Sequence, residues 1–376
     1  MDRRVLMVAT VPSMIGQFNM NNIHILLDMG CQVDVAADFT DRSVWPEERV
    51  QKFKEQLHQL GIECIQLDFS RDPFKIQCHY QSYRETVKLI KDRKYCFIHT
   101  HTPIASAIVR QAAHKTGTKV IYTAHGFHFY DGAPVKNWLI FYPIEKHFSK
   151  YTDVLITINK EDYNRASEKF KAKKTVYIPG VGIDTGKFSP EVSGRKRIRT
   201  ELGIDDDQLV LLSVGELNKN KNHESVIKAI AGMKITYLIV GKGDLKEYLE
   251  NLAKEHNVDL RLVGFRNDVA DFYDAADAYV LPSNREGLNV SLMEAMASGL
   301  AVACGNIRGN TDLIEDNNCL FSPILTNEIK QSVEYTIENR QALGKQNIKK
   351  IQSFNLEAVN ELTAEIYRRC YGVTGI

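Results

Sequence analysis

Glu286-Gly287-Leu288-Asn289-Val290-Ser291-Leu292-Met293-Glu294 is the stretch that decides how this chain is read. Leu281-Pro282-Ser283-Asn284 ends the apolar run before it, so Glu286 falls at the C-terminal lip of a strand, where open α/β sheets bind ligands. Leu292, Met293, Ala295, Met296 and Ala297 are good helix formers and Gly299 is a stop signal, which predicts a helix just beyond. The start of that helix offers unpaired N–H groups and a positive dipole end, a site for a phosphate. Glu294, eight residues after Glu286 and inside the helix, is placed to accept hydrogen bonds from a vicinal diol such as a ribose. Taken alone, two glutamates flanking a helix start are ordinary capping residues and surface charge. Sugar, phosphate and ribose binders in a row would instead outline a nucleotide-sugar.

Working outward, Ala301-Val302-Ala303 is the next strand, and the same alternation runs through the whole chain. Val5–Val11, Val33–Ala37, Ile62–Leu67, Phe97–His101, Lys119–Ala124 and Val154–Ile158 form a first series, which Thr175–Asp184 closes as the last strand and exit. Leu209–Val214, Ile235–Val240, Leu260–Val263, Ala278–Leu281, Leu300–Ala303 and Cys319–Phe321 form a second. Apolar strands alternating with helix-length segments predict parallel sheets covered on both faces. Gly, Pro and charge concentrate over Thr185–Arg199, read as the linker. The expected division is 1–185, 186–355 and a final helix over 356–376.

Tyr279–Gly287, Glu294-Ala295-Met296-Ala297-Ser298-Gly299 and the strand after them resemble the donor segment of the retaining GT-B glycosyltransferases, specifically the family-4 group with its E-x7-E motif. Pro179-Gly180-Val181-Gly182-Ile183-Asp184 followed by Phe188 is a second strong match, and the resemblance covers nearly the whole chain. It implies an α/β fold of two doubly wound Rossmann-like domains facing across a cleft. The first would bind the acceptor, the second the nucleotide-sugar, and the last helix would cross back to the first. It implies that Glu286 touches the transferred sugar, that Glu294 holds the ribose, and that Gly287, Leu288, Asn289 and Val290 lie along the phosphates.

Val214-Gly215-Glu216-Leu217-Asn218-Lys219-Asn220-Lys221 leaves a strand, and a lysine in such a loop is a mobile charge able to neutralise phosphate. The family usually has an arginine directly after this glycine and a lysine five positions later. Lys221 stands at the lysine position. Glu216 stands at the arginine position, a departure that requires this acid to turn away or to bond the sugar or an acceptor hydroxyl. Gly264-Phe265-Arg266 ends another strand where the resemblance implies base recognition; a buried Phe with a solvated Arg is the competing reading. His125, between Ala124 and Gly126, matches the family's active-site histidine, which donates to the sugar or supports the leaving group. His99 and His101 at a neighbouring strand end are candidates for the acceptor pocket, although a lone histidine is more often structural. Gly16 fits a glycine-containing first loop near the donor phosphate, without the usual paired glycines. Gly241-Lys242-Gly243 lacks the G-x-G-x-x-G spacing and reads as a structural turn. Asp312 reads mainly as a helix cap.

Composition narrows the function classes. The 376 residues suit two domains, and 44% apolar with 25% charged residues is ordinary for a globular protein. No apolar run approaches the roughly 18 residues that cross a bilayer, and Arg3-Arg4 before a short apolar run reads as the approach to a first strand, not a signal peptide. Seven scattered cysteines without C-x-x-C spacing predict free thiols in the cytoplasm. Residues 1–185 carry 25 Lys+Arg against 20 Asp+Glu, a charge of +5, which leaves −4 for the rest of a chain of net +1. A basic half suits an anionic partner or membrane face, and ordinary surface variation as well. No nucleophile constellation or zinc spacing is present, and Asp205-Asp206-Asp207 precedes a strand instead of following one, which favours a turn over a metal site.

Arg285-Glu286-Gly287-Leu288 together with Arg308-Gly309-Asn310 resembles the capsular and exopolysaccharide subgroup. That resemblance implies a UDP-sugar donor, a hexose or N-acetylhexosamine, and an acceptor sugar on a polyprenyl diphosphate at the inner membrane face. No cofactor, metal or nucleic acid is expected. A UDP-N-acetylglucosamine 2-epimerase, a nicotinamide dehydrogenase and a non-catalytic sugar-nucleotide binder are the rival classes. The dehydrogenase lacks its glycine fingerprint here, and Glu216 keeps the binder open.

Overall fold

The computed structural model describes residues 3–190 and 192–371. Two compact units emerge: one takes the chain up to Val181 together with the residues from Glu357 onward, the other is Gly182–Leu356.

In the first unit the order is β1 (Arg4–Val8), α1 (Pro12–Phe18), α2 (Met20–Asp28), β2 (Gln32–Ala37), α3 (Glu47–Gln59), β3 (Glu63–Gln66), α4 (Ile76–Arg93), β4 (Phe97–His101), α5 (Pro103–Thr116), β5 (Lys119–Ala124), α6 (Val135–Ser149), β6 (Val154–Thr157), α7 (Lys160–Lys169) and β7 (Lys174–Tyr177). The second unit continues with α8 (Val192–Leu202), β8 (Leu209–Val214), α9 (His223–Ala229), β9 (Ile235–Val240), α10 (Lys246–Glu255), β10 (Asp259–Leu262), α11 (Val269–Ala275), β11 (Ala278–Leu281), α12 (Val290–Ala297), β12 (Ala301–Gly305), α13 (Asn310–Leu313), β13 (Leu320–Phe321), α14 (Thr326–Glu338) and α15 (Arg340–Ile351). The last helix, α16 (Leu356–Tyr371), packs in the first unit, where Val359, Ile366, Tyr367 and Cys370 join the core beside β1 and β4.

Both sheets are parallel throughout. The first has the order β3-β2-β1-β4-β5-β6-β7 and the second β10-β9-β8-β11-β12-β13. Each chain path winds outward on one side, then returns to the centre and winds out on the other. The reversals fall between β1 and β4 and between β8 and β11, the topological switch points at which such sheets open a ligand crevice. Val5, Leu6, Met7 and Val8 are fully buried, which is why β1 reads as an unbroken apolar run: helices cover both its faces.

The expected linker is corrected. Its second half is helical: α8 begins at Val192 and packs on α11. Its Arg199 is buried and donates to Ala275 O (3.1 Å), Asp205 O (2.7 Å), Gln208 O (2.9 Å) and the Asp277 carboxylate (2.8 Å). Charge in this segment therefore signals a buried arginine tying a helix to β8 and β11, and the Asp205 turn serves as one of its acceptors. Gly16 is corrected as well. It lies within α1, and a Cβ there would sit 2.4 Å from the Trp45 ring, so it is a packing glycine under an indole and not a loop glycine.

Candidate functional site

Two loops leave the switch point of the second sheet, Gly215–Asn222 after β8 and Pro282–Asn289 after β11. They are latched together by their backbones. Asn284 N donates to Asn220 O (2.8 Å), Asn284 Nδ2 to Lys219 O (3.0 Å) and Asn220 Nδ2 to Arg285 O (3.0 Å). Asn222 takes a left-handed conformation (φ 56°) and its amide reaches Pro282 O and Pro323 O. Within this frame Lys221 Nζ meets Glu286 Oε1 at 2.7 Å, with the side chains 18% and 14% exposed. The cation and the acid predicted from separate stretches thus form one partly buried pair.

Arg308, itself buried, holds Glu286 from behind: its Nε and Nη2 both donate to the Glu286 carbonyl at 3.2 Å. Gly309 makes this close approach possible. Its φ is +81°, and a Cβ there would lie 2.1 Å from Gly287 O. Gly241 serves the adjoining edge in the same way, since a Cβ would lie 1.8 Å from Gly215 O. Gly264 completes this edge by accepting from the Gly241 amide at 2.9 Å.

Asn289 caps α12, its Oδ1 accepting from Leu292 N at 3.0 Å, which fixes where the helix starts behind Glu286. Leu288 and Asn289 are buried, and Ser291 joins the cap to the sheet, its hydroxyl 2.7 Å from Asn289 Oδ1 and 2.7 Å from the Tyr279 hydroxyl. A turn further in, Glu294 Oε2 accepts from the Tyr273 hydroxyl at 2.7 Å. Burial raises the Glu294 carboxyl above its ordinary range, and the Tyr273 hydrogen bond and the nearby Lys187 cation pull it back. The two offsets are smaller than the effect of burial, so the proton is held more tightly here than on an ordinary carboxyl.

The other predicted donor residues are less uniform. Glu216 is exposed, and its carboxylate accepts from Asn218 Nδ2 at 2.8 Å on its own loop. Phe265 is 60% exposed, while Arg266 is tied to Glu201 (2.6 Å) and Asp268 (2.9 Å) over the Phe272 ring. Both halves of the competing reading are therefore reversed: the phenyl is the free flat surface and the guanidinium is committed to carboxylates. The cap assigned to Asp312 is also corrected, because Gly309 occupies the N-cap of α13 and Asp312 lies within the helix.

In the first unit His99, His101 and His125 line up across the ends of β4 and β5. His99 Nδ1 meets the Tyr367 hydroxyl of α16 (2.7 Å) and its Nε2 meets Thr123 Oγ1 (2.8 Å). His101 Nε2 lies 3.2 Å from Met7 Sδ, and its Nδ1 lies 3.1 Å from His125 Nε2. Every nitrogen of His99 and His101 is thus engaged by its own unit, and both rings are buried. His101 supports His125 from within the sheet, while His99 is held between Thr123 and Tyr367. A thioether sulfur carries no proton, so His101 donates through Nε2 and accepts at Nδ1. His125 then donates through Nε2, which leaves its Nδ1 as an unprotonated acceptor. Burial lowers His125 to about 4 and His99 to about 3, so both are neutral at physiological pH. His125 thus presents a neutral ring with Nδ1 as its acceptor.

Sequence reasoning missed Arg308 as a support for Glu286, Tyr273 over Glu294, and Lys187, which had been placed in the linker. None carries a local signal, since each acts across a contact made only by the folded sheet. Among the described residues no group of three or more His, Cys, Asp or Glu side chains is arranged to hold a metal, and no helix is long and apolar enough to cross a membrane.

Comparison with known proteins gives the family. The family profile Glycosyltransferase Family 4 matches residues 20–187, and Glycosyl transferases group 1 matches residues 194–352. EpsD of Bacillus subtilis (strain 168) is 32% identical over 98% of this chain and 97% of its own. The chain belongs to the GT-B glycosyltransferases. A second relative, the UDP-Gal:alpha-D-GlcNAc-diphosphoundecaprenol alpha-1,3-galactosyltransferase of Escherichia coli, is 31% identical over 61% of this chain and 62% of its own. Among solved structures, HepE of Anabaena in complex with UDP superposes with a TM-score of 0.78 at 18% identity, covering 97% of this chain and all of that one (100%). That likeness is one of fold: two parallel-sheet α/β units in succession.

Proposed function

We propose that this glycosyltransferase moves a hexose or N-acetylhexosamine from a UDP-sugar to a saccharide carried on a polyprenyl diphosphate, in surface polysaccharide assembly. The transfer retains the anomeric configuration and uses no metal ion. The observation that carries the reading is the Lys221–Glu286 pair at the sheet's switch point, with Glu294 one helical segment behind it. Breaking the bond between the anomeric carbon and the phosphate oxygen puts negative charge on the diphosphate and positive charge on the sugar ring. Lys221 and the amides of Gly287, Leu288, Asn289 and Val290 stabilise the first, and Glu286 orients the sugar that bears the second. Glu294 anchors the ribose, the exposed Phe265 offers a face to the uracil, and His125 Nδ1 accepts from a sugar hydroxyl. The departing diphosphate takes the acceptor's proton as the new glycosidic bond forms on the same face.

The UDP-galactose donor of the Escherichia coli relative and the UDP in the HepE complex choose the probes. A thermal-shift panel of UDP-, GDP- and ADP-sugars should single out UDP compounds. Transfer from the best donor to a polyprenyl-diphosphate-linked N-acetylglucosamine, run in EDTA, should give a product whose anomeric proton coupling matches that of the donor. An inverted product, abolition by EDTA, or isomerisation of the donor without an acceptor would each overturn the corresponding part of the reading.

A further inference from the structure

The turn Gly241-Lys242-Gly243 has no part in the proposed transfer, although it stands on the sheet edge that serves it. Gly215, Gly241 and Gly264 follow the adjacent strands β8, β9 and β10 and touch in succession. A Cβ on Gly241 would lie 1.8 Å from Gly215 O, and the Gly241 amide donates to Gly264 O at 2.9 Å. Each end of this strip carries a lysine. Lys221 lies over Gly215, its Cε 3.2 Å from where a Cβ would stand, and turns to Glu286. Lys242 lies over Gly264, its Cε 3.9 Å from the corresponding point. Two strand spacings, about 10 Å, separate the outer glycines, so the two ammonium groups serve different parts of a ligand.

The backbone of Lys242 is fixed while its ammonium is free. Leu217 N donates to Lys242 O (3.0 Å) and Leu245 N to Leu217 O (3.1 Å), and a Cβ on Gly243 would lie 2.3 Å from Leu217 O. The turn is thus pressed onto the loop after β8. Its lysine side chain is exposed and takes neither an ion pair nor a hydrogen bond among the described residues. Directly after Gly264 comes Phe265, 60% exposed, whereas Arg266 beyond it is bound by Glu201 and Asp268. This end of the strip therefore offers an uncommitted aromatic face and an uncommitted cation. An aromatic face stacks on any base and makes no choice among them. An ammonium donates and never accepts, so it favours a base edge that presents a carbonyl oxygen and disfavours one that presents an amino group. Uracil carries O4 at the position where cytosine carries an amino group.

We propose that Lys242 determines base specificity: it reads the O4 edge of the uracil stacked on Phe265 and so selects a keto base over an amino one. This rests on the UDP-sugar reading for the identity of the base, and the test separates the two. Calorimetry on the full chain with UDP, CDP, GDP and ADP isolates the base, since all four share the ribose and the diphosphate. The wild type should bind UDP roughly tenfold more tightly than CDP. Lys242→Met should weaken UDP by about that factor and leave CDP nearly unchanged. Its melting temperature should stay put, because the side chain is exposed. Lys242→Glu should reverse the order and favour CDP, whose amino group donates to a carboxylate. Phe265→Ala should weaken all four diphosphates by at least about fivefold and keep the UDP-to-CDP ratio. In turnover, Lys242→Met should raise KM for the UDP-sugar and spare kcat, as loss of uniform binding does. A wild type that binds CDP as tightly as UDP overturns the proposal. So does equal weakening of UDP and CDP by Lys242→Met, which would assign the ammonium to the diphosphate or ribose and leave the UDP-sugar reading standing. A preference for GDP that Lys242→Met abolishes would instead remove the uridine reading and keep Lys242 as the reader of a keto oxygen.

Discussion

Glu286→Gln separates two roles that the Lys221–Glu286 pair combines. At 2.7 Å the gross attraction is roughly 6 kcal/mol for an effective dielectric of about 20. Desolvation of both groups offsets most of this, and residual solvent access screens more, leaving about 1–2 kcal/mol net. If Lys221 must leave Glu286 to reach the donor diphosphate, that net term is spent on every binding event. Glu286→Gln releases it, so UDP should bind roughly 5- to 30-fold more tightly by calorimetry. Transfer should nevertheless fall by about a hundredfold, because the sugar loses its orienting acid. Lys221→Met should act in the opposite sense on binding, weakening UDP about tenfold and cutting turnover by a further factor of about 10–100. Each single variant leaves one partly buried charge alone and should lower stability by about 1–2 kcal/mol, a few degrees in melting temperature for a unit of this size. The reasoning is refuted if Glu286→Gln weakens UDP as much as Lys221→Met does, since the pair would then bind the diphosphate without opening. Near wild-type turnover in Lys221→Met would refute the charge-stabilising role outright.

Glu294→Gln tests the ribose anchor with an opposite signature in stability. A carboxyl raised by burial binds its proton more tightly folded than unfolded, so stability falls as pH rises above the unfolded value of about 4.5. Removing that charge should raise the melting temperature at neutral pH while weakening UDP binding at least about tenfold; equal UDP affinity would end the ribose assignment. The histidine chain predicts acid sensitivity. Depressed imidazoles hold the fold fully above the unfolded pKa of about 6.5, and that stability drains away as pH falls toward about 4. Conversely, kcat/KM should show no ionisation from His125 between about pH 6 and 8, and nitrogen NMR should find it protonated at Nε2. A protonated Nδ1 would reverse the acceptor role. Gly309→Ala should displace the Gly287–Leu288 turn by steric contact with Gly287 O, costing on the order of 2 kcal/mol and lowering donor affinity; an unaltered protein would show that the turn has room to give.

Much of the fold was legible because its signals are local. Runs such as Val5–Ala9 and Tyr237–Val240 are apolar without interruption only when helices cover both faces of a parallel sheet. The cap at Asn289 and the stop at Gly299 bracket α12 within one stretch of chain. The spacing of Glu286 and Glu294 likewise needed no distant partner to place one acid at a strand end and the other inside a helix. Where local signals misled, the cause was a long-range contact: Arg199 turned an apparent linker into a buried anchor for Asp277, and Trp45 closed over Gly16.

The amino-acid order alone determined the alternation of strands and helices, the division into two sheets, and which residues stand at strand ends. Periodicity, capping and turn chemistry act within a few residues and survive in any linear reading. Only the tertiary structure decided that Lys221 meets Glu286 across 65 positions, that Tyr273 covers Glu294, and that Met7, His101 and His125 form one proton-ordered row. Those pairings depend on which strand lies beside which, and strand order is set by how crossover helices bury their faces, a balance struck over the whole unit and written in no single segment.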